Sequence, residues 1–225
     1  MKNRLKDIVP EAELDAKAEV AYAINVLKKE KNAVILGHNY MEPALYHSVP
    51  DYVGDSLQLS SIAAQTEAAI IVFCGVWFMG ETAKVLNPQK MVLVPSKEAG
   101  CSLAEGITGD DIRELKARFP EAVVVTYVNT YADAKSESDY CCTSGNADKV
   151  LDKLIALGHK RILFLPDRFL AANTAAKMGI PFLPSDADTD AFQAVSPDQP
   201  LVIGWHAQCE VHELFTPEQV EEIRD

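Results

Sequence analysis

The sequence predicts an α/β fold in which one domain is duplicated, and three observations support this. Short runs rich in Val, Ile and Leu alternate with longer segments of helical composition, as in parallel strands joined by helices. The order strand, helix, strand, helix, strand occurs twice along the chain. Several letters of the first copy also return in the second, at offsets that grow as loops lengthen. We therefore expect two related domains with right-handed parallel crossovers.

The first copy opens with an amphipathic helix. Within residues 12–31, the apolar residues Val20, Ala23, Ile24 and Leu27 are spaced for one helical face. Strands are then predicted at 33–40, 69–76 and 91–95, a loop followed by a helix at 51–68, and a helix at 78–86 that Asn87-Pro88 ends.

The second copy repeats this order with longer connections. Strands are predicted at 122–129, 161–167 and 201–205, a loop followed by a helix at 139–158, a helix at 169–179, and a loop from Pro181 to Pro200. Asp51-Tyr52 and Ser56 match Asp139-Tyr140 and Ser144 at an offset of 88, and Cys101 matches Cys209 at an offset of 108. These matches predict a first αβα domain over 1–100, a second over 101–205, and the truncated start of a third over 206–225.

Cys101 and Cys209 lie in equivalent loops, each followed by a Thr that is placed as the N-cap of a helix, Thr108 or Thr216. A thiol ahead of a positive helix end is expected to favour the thiolate. Two such thiols can ligate a metal or cluster, or can be ordinary loop residues, and the repeat alone leaves both interpretations open. The other three cysteines, Cys74, Cys141 and Cys142, are predicted to pack in the core or in a loop.

Polar residues cluster where predicted strands end and helices begin. His38 and Tyr40 lie at the end of the first predicted strand, and Tyr127 and Asn129 end the corresponding strand of the second copy. Ser56 and Ser144 fall at predicted helix starts, where a hydroxyl is a plain cap or part of an anion site. His212 lies three residues after Cys209. Ligands of parallel α/β sheets bind at the carboxyl ends of strands, so these residues are candidate site residues.

Composition excludes several classes of protein. A hydrophobic content of 48% over 225 residues is enough for a sizeable core, which argues against disorder. A formal charge of −12 argues against a nucleic-acid surface. The apolar runs are shorter than a membrane helix needs, and the N-terminus has no secretory signal, so a cytoplasmic protein is expected. Five irregularly spaced cysteines favour metal binding or catalysis over a disulfide framework.

Nine motifs, taken in order between residues 37 and 215, together resemble quinolinate synthase. They are GHNY, VGDSLQL, GVxFMxE, LNPxK, GCSLA, YVNT, CTSGNA, LPDRFLAANTA and CEVHELF. The resemblance implies three αβα domains with short parallel sheets around a pseudo-threefold axis, two of them present here. It also implies a 4Fe-4S cluster held by one Cys from each domain, with Cys101 and Cys209 as the first two ligands and the third ligand outside this chain.

The family condenses iminoaspartate with dihydroxyacetone phosphate to quinolinate, a transferase reaction in the biosynthesis of NAD, with the cluster as a Lewis acid. An L-aspartate oxidase is the upstream supplier that the resemblance implies. Carried over by motif, His38 and Tyr40 are the catalytic residues, and substrate is bound by His38, Ser56, Tyr127, Asn129, Ser144 and His212.

Two departures from the family pattern concern catalysis. Ala207 stands in the loop before Cys209 where the family pattern leads us to expect glycine, and the His-bearing and acidic strand of the third domain is absent. The chain by itself is therefore expected to be inactive or weakly active. Two alternatives stay open: a binding module for a small phosphorylated or dicarboxylic ligand, and a fragment that acts when a separate third-domain chain complements it.

Overall fold

The computed structural model describes residues 1–224 and confirms the α/β class. The chain forms two compact units, Met1–Gly100 and Cys101–Asp225. Each unit contains one sheet, and every strand pair in both sheets is parallel. That the segment from residue 206 starts a third domain remains a prediction.

The first unit consists of α1 (Lys2–Leu5), α2 (Glu11–Glu30), β1 (Ala33–His38), α3 (Pro43–Tyr46), β2 (Tyr52–Gly54), α4 (Ser56–Gln65), β3 (Ile70–Cys74), α5 (Trp77–Leu86) and β4 (Met91–Leu93). Its strand order is β2-β1-β3-β4. Helices α4 and α5 pack on each other and on β1 and β3. Helix α5 ends at the predicted place, since Asn87 is its C-cap.

The second unit consists of α6 (Ser102–Glu105), α7 (Gly109–Arg118), β5 (Val123–Tyr127), α8 (Ala132–Ser136), β6 (Tyr140–Cys142), α9 (Ala147–Ala156), β7 (Arg161–Leu165), α10 (Arg168–Met178), β8 (Phe182–Pro184), α11 (Thr189–Gln193), β9 (Leu201–Gly204), α12 (Glu210–Glu213) and α13 (Pro217–Arg224). Its strand order is β6-β5-β7-β9-β8. The first four positions follow the order of the first unit, with β8 added at the edge, so the predicted repeat is confirmed at the level of topology.

The sheet of the second unit has helices on both faces. Alternate side chains of β5 point in opposite directions, as the period of two requires. Val123 and Val125 join a buried cluster with residues of α9 and α10. Val124 joins a second cluster with Ile112 and Leu115 of α7 and with Ala134 of α8. The unit is thus a three-layer αβα domain, and near-continuous apolar strands are the expected result of burying both faces.

Two edge strands and the Pro181 to Pro200 segment differ from prediction. Strands β2 and β6 lie where a loop was predicted, and 181–200 is not a plain loop because it contains β8 and α11. Each edge strand has only three residues, too few to show alternation in sequence. An aspartate precedes each: Asp51 accepts the backbone N–H of Ile35 at 2.9 Å, and Asp139 accepts that of Val124 at 2.8 Å.

Helix α2 is confirmed, but of the four residues predicted for its buried face only Ile24 packs against the core. Val20 and Leu27 are 59% and 52% exposed, whereas Ala18 and Ala21 are buried. Lys28 is also buried, and its Nζ lies 2.8 Å from Asp51 Oδ1 and donates to the carbonyl of Val49 at 2.7 Å. Lys28 is polar by residue type but is buried because it pairs with Asp51. The spacing of apolar residues therefore predicted a buried face that leaves Lys28 out.

Both threonine caps are confirmed. Asp111 N–H donates to Thr108 Oγ1 at 3.3 Å and Thr108 N–H donates to the Asp111 carboxylate at 2.7 Å, which is a capping box. Gln219 N–H donates to Thr216 Oγ1 at 3.3 Å, and Thr216 N–H donates to Gln219 Oε1 at 3.0 Å. The repeat therefore extends to the start of α13.

Candidate active site

His38 closes strand β1 of the first unit and meets two of the other predicted site residues of that unit. Its Nε2 lies 3.5 Å from Ser56 Oγ, at the first turn of α4. Its ring centroid lies 3.9 Å from that of Tyr40, with the planes tilted by 36°. The Tyr40 hydroxyl lies 3.8 Å from the Sδ of Met79. These contacts bring an imidazole, a phenol and a hydroxyl together at the carboxyl end of a parallel strand.

Burial makes the His38 imidazole a neutral group. It lowers the pKa of His38, and the charge of Asp55 opposes this shift in part. Within residues 1–224, the Nδ1 of His38 is a buried polar atom without a hydrogen-bond partner. A protonated imidazole needs an acceptor at each nitrogen, so the orphaned Nδ1 also disfavours the charged form. The neutral ring can exchange a proton at Nε2, the nitrogen that faces Ser56.

The helix cap beside His38 is Asp55 rather than Ser56. Asp55 Oδ1 accepts the backbone N–H of Gln58 at 2.8 Å. Ser56 is the first residue of α4, and its side chain is directed to His38 instead of to the helix. Its hydroxyl is thus available to a ligand beside the imidazole.

The second unit has a cavity of about 520 Å³ at the carboxyl ends of its strands. Its lining combines aromatic, hydroxyl, carboxylate and thiol groups; the residues are Tyr127, Ser144, Asp167, Phe169, Leu170, Asn173, Cys209, His212 and Glu213. A cavity with a few convergent polar groups on an otherwise apolar wall is typical of small-molecule sites. Four of the predicted residues, Tyr127, Ser144, Cys209 and His212, therefore share one cavity.

Ser144 enters this cavity because a different side chain organises the turn. Asn146 Oδ1 accepts both the backbone N–H of Thr143 at 2.7 Å and the Thr143 hydroxyl at 3.1 Å. Asn146 is the N-cap of α9, and Ser144 precedes it as an exposed turn residue. The hydroxyl of Ser144 is consequently presented to the cavity.

Asp167 puts a negative charge at the cavity wall. It is buried, and its Oδ1 caps α10 by accepting the N–H of Leu170 at 2.8 Å. Burial raises the pKa of Tyr127, and the charge of Asp167 raises it further. Tyr127 is thus a neutral phenol, and the cavity suits a ligand that presents hydrogen-bond donors to Asp167.

Cys101 and Cys209, 108 residues apart in sequence, lie near each other in the second unit. Each is the residue immediately before a short helix, α6 or α12. Burial raises the pKa of the Cys101 thiol, the backbone N–H groups of Ala104 and Leu103 lower it, and negative charge on Cys209 raises it. The expectation of a favoured thiolate is wrong for Cys101, because desolvation outweighs the helix end. The charge of one thiol thus acts on the other.

Among the other candidates, Asn129 is half-buried two residues after β5 and does not line the cavity. Cys74 and Cys142 are buried, as predicted for core residues, and Cys141 is exposed. Sequence reasoning missed Asp167, Asn173 and Glu213. Asp167 is the last residue of a predicted strand, which is the signal that could have identified it.

A complete metal site is not found in the described part of the chain. Within residues 1–224, no group of three or more His, Cys, Asp and Glu side chains is arranged to hold a metal ion. The donors that fit an iron–sulfur cluster in chemistry are the two thiols of Cys101 and Cys209, because such clusters are held by cysteine thiolates. They can form part of a ligand set.

A family model described as quinolinate synthetase A protein (NadA) matches residues 22–225. The chain belongs to the quinolinate synthase family. Quinolinate synthase 2 of Mesorhizobium japonicum is 47% identical over 99% of this chain and 62% of its own length. Quinolinate synthase of Sinorhizobium fredii is 47% identical over 95% of this chain and 53% of its own length. The chain thus spans between half and two thirds of the length of these quinolinate synthases.

A solved NtrC family transcriptional regulator from Clostridium acetobutylicum aligns with 86% of the chain at 14% identity and a TM-score of 0.28, which is too low to indicate a shared fold. Of the helices in residues 1–224, none has the length and apolar character to cross a bilayer.

Proposed function

We propose that this chain is the part of a quinolinate synthase that carries two cluster cysteines and most of the substrate-binding groups. The reaction condenses iminoaspartate with dihydroxyacetone phosphate to quinolinate, with loss of phosphate and water, in the biosynthesis of NAD. The observation that carries the proposal is 47% identity over 99% of the chain to a curated quinolinate synthase. The loops of Cys101 and Cys209 are joined by the hydrogen bond from Trp205 to Gly106, and the charge of Cys209 reaches the Cys101 thiol, which also supports the proposal.

Cys101 and Cys209 would hold a 4Fe-4S cluster through their thiolates. When bound, the cluster supplies a Lewis acid that polarises a hydroxyl or carboxylate oxygen. Two thiols are fewer ligands than such a cluster takes, so at least one further ligand would come from outside the described residues. The raised pKa of Cys101 implies that binding of iron displaces a proton from its thiol.

The remaining residues would bind substrate and move protons. In the first unit, neutral His38 exchanges a proton at Nε2, and Tyr40 and Ser56 orient the group that reacts. In the second unit, the phenol of Tyr127 and the hydroxyl of Ser144 donate hydrogen bonds to carboxylate or phosphate oxygens, and His212 lies beside Cys209 at the same cavity. Asn129, two residues after the end of β5, would also bind substrate. Neutral donors allow an acidic protein to bind dianionic substrates.

Residues 206–225 would begin a third αβα domain. The positions of α13 that match the buried Ile112 and Leu115 of α7 are Val220 and Ile223, which are 45% and 83% exposed. The capping boxes at Thr108 and Thr216 place the two helices in the same register. A helix of this pattern is stable when its apolar side is covered, as α7 is in the second unit. In this proposal the enzyme is cytoplasmic, and an L-aspartate oxidase supplies its iminoaspartate.

The test is anaerobic reconstitution of the chain with iron and sulfide, followed by measurement of bound iron and of thiolate-to-iron absorbance. Cys101→Ser and Cys209→Ser are expected to lose the bound iron. Cys141→Ser is the matched control, since Cys141 is an exposed thiol of the same unit outside the cavity. Retention of iron and absorbance in the Cys101→Ser variant would refute the ligand assignment.

Catalysis is tested by formation of quinolinate from dihydroxyacetone phosphate and iminoaspartate that an L-aspartate oxidase generates in the assay. Activity of the reconstituted chain, or of the chain mixed with a third-domain fragment, supports the enzyme. Thermal stabilisation by dihydroxyacetone phosphate without bound iron and without turnover supports the binding-module alternative instead.

A further inference from the structure

Ala207, two residues before Cys209, contacts two other segments of the second unit, one at Asp167-Arg168 and one at Gly106. The backbone of Ala207 pairs with Asp167 in an isolated parallel bridge, and its carbonyl accepts the N–H of Arg168 at 2.9 Å. The side chain is 8% exposed, so the methyl group is buried. The loop that carries Cys209 is thereby fixed to the end of β7 and the start of α10.

The methyl group of Ala207 faces Gly106, the residue that ends the short helix after Cys101. A Cβ built on Gly106 would lie 2.7 Å from the Cβ of Ala207, closer than two carbon atoms approach. Gly106 has φ −74° and ψ −1°, which any residue adopts. The requirement for glycine at 106 is therefore one of space, and Ala207 creates it.

A hydrogen bond joins the same two loops. The indole N–H of Trp205 donates to the carbonyl of Gly106 at 2.8 Å, between residues 99 positions apart in sequence. Trp205 follows β9 directly and is half-buried. On the other side, the N–H of Glu105 donates to the carbonyl of Cys101 at 2.9 Å, which ties Gly106 to Cys101 through one short turn.

We propose that Trp205, Gly106 and Ala207 are positioning residues that set the separation of the Cys101 and Cys209 thiols. The hydrogen bond of Trp205 holds the two loops together, and the contact of the Ala207 methyl with Gly106 fixes how closely they approach. Residues 106 and 207 together have room for one methyl group. This inference rests on the proposed function, in which the two thiols act as a ligand pair.

The test measures the pair of thiols directly with phenylarsine oxide. The arsenical forms two As–S bonds with two neighbouring thiols and releases its oxygen as water with both thiol protons, so no oxidant or reductant is needed. All variants are made in a Cys141→Ser background, because Cys141 and Cys142 are adjacent and offer a second pair. Affinity is measured by competition with a small dithiol, and thermal unfolding is followed in parallel.

Gly106→Ala is expected to weaken arsenical binding about tenfold or more, since the added methyl group overpacks the contact with Ala207 and separates the loops. Ala207→Gly alone is expected to stay within about threefold of the parent, and Gly106→Ala combined with Ala207→Gly to recover to within about threefold, because contacting residues are energetically coupled. Trp205→Phe, which keeps an aromatic ring and removes the donor, is expected to weaken binding about threefold to tenfold.

Leu151→Ala is the matched control for general destabilisation. Leu151 is fully buried in the cluster of α9 and α10, which includes no residue of either thiol loop. It should lower the unfolding midpoint and leave arsenical affinity at the parent value. Equal affinities of Gly106→Ala with and without Ala207→Gly would overturn the inference, as would parent-like affinity of Gly106→Ala.

The experiment distinguishes failure of the proposed ligand pair from failure of the positioning role. If Cys101→Ser and Cys209→Ser bind the arsenical as the parent does, the two thiols are not a pair and the proposed function loses its second support. If both lose binding while the loop variants keep the parent affinity, only the positioning role is refuted.

Discussion

The carboxylate of Asp139 accepts the backbone N–H of Val124 at 2.8 Å, next to an edge strand that pairs with β5. Asp139 also donates its own N–H to the carbonyl of Val124 at 3.0 Å. The first unit has the same arrangement between Asp51 and Ile35. Just before each edge strand, the aspartate side chain accepts a backbone N–H that would otherwise bond to a carbonyl of a neighbouring strand. The repeat therefore preserves this hydrogen bond as well as the order of strands.

This arrangement predicts that Asp139→Ala lowers the free energy of unfolding by about 1–2 kcal/mol, since it leaves the N–H of a buried strand residue without its acceptor. Asp139→Asn keeps an acceptor oxygen and is expected to stay close to the parent. Urea unfolding followed by circular dichroism gives both values. Equal losses in the two variants would show that charge, rather than the acceptor, is what matters.

Breaking the ion pair of Lys28 and Asp51 is expected to lower the free energy of unfolding more than breaking the surface ion pairs of Lys17. Lys28→Met removes the partner of a carboxylate that also organises β2, and should lower the free energy of unfolding by about 2 kcal/mol or more. Lys17→Met is the matched control in the same helix, because Lys17 pairs with Glu13 and Glu42 at the surface. A control that costs as much as Lys28→Met would contradict the role of burial.

His38 predicts a specific dependence of stability on pH. Its pKa is lowered in the folded protein, mainly by burial, so the unfolded chain binds the proton first as the pH falls below about 6.5. His38 therefore lowers stability below that pH and has no effect above it. The difference in unfolding free energy between the parent and His38→Gln should be constant from pH 8 to pH 7 and should move in favour of the variant below it. A difference that does not change with pH would contradict the burial of a neutral imidazole.

The charge of Asp167 is expected to weaken binding of phosphate esters in the cavity of the second unit. Asp167→Asn retains the N-cap of α10 and removes the charge, so dihydroxyacetone phosphate should bind about threefold to tenfold more tightly, since two like charges about 4 Å apart repel by about 1 kcal/mol even in water. Thermal shift titration gives the apparent affinity. Asp148→Asn is the control, because Asp148 is paired with Lys177 and does not line the cavity. Weaker binding by Asp167→Asn would indicate that the carboxylate contacts a donor of the ligand.

Much of the candidate site could be proposed from the sequence because it lies at the ends of recognisable strands. His38, Ser56, Tyr127, Ser144 and Cys209 all follow or flank an apolar run in the sequence. The face of α2 was mispredicted because Lys28 is buried by pairing with Asp51, a contact between residues 23 positions apart. Local periodicity carries no information about such a partner.

The sequence by itself determined the α/β class, the duplication, the helix caps at Thr108 and Thr216 and the family. These depend on local spacing and on letters that repeat, both of which are visible along the chain. Only the tertiary structure decided that Cys101 and Cys209 lie together, that Trp205 reaches Gly106, and that Ala207 requires glycine at position 106. These relationships join residues about a hundred positions apart, and close packing of the folded domain sets their distances.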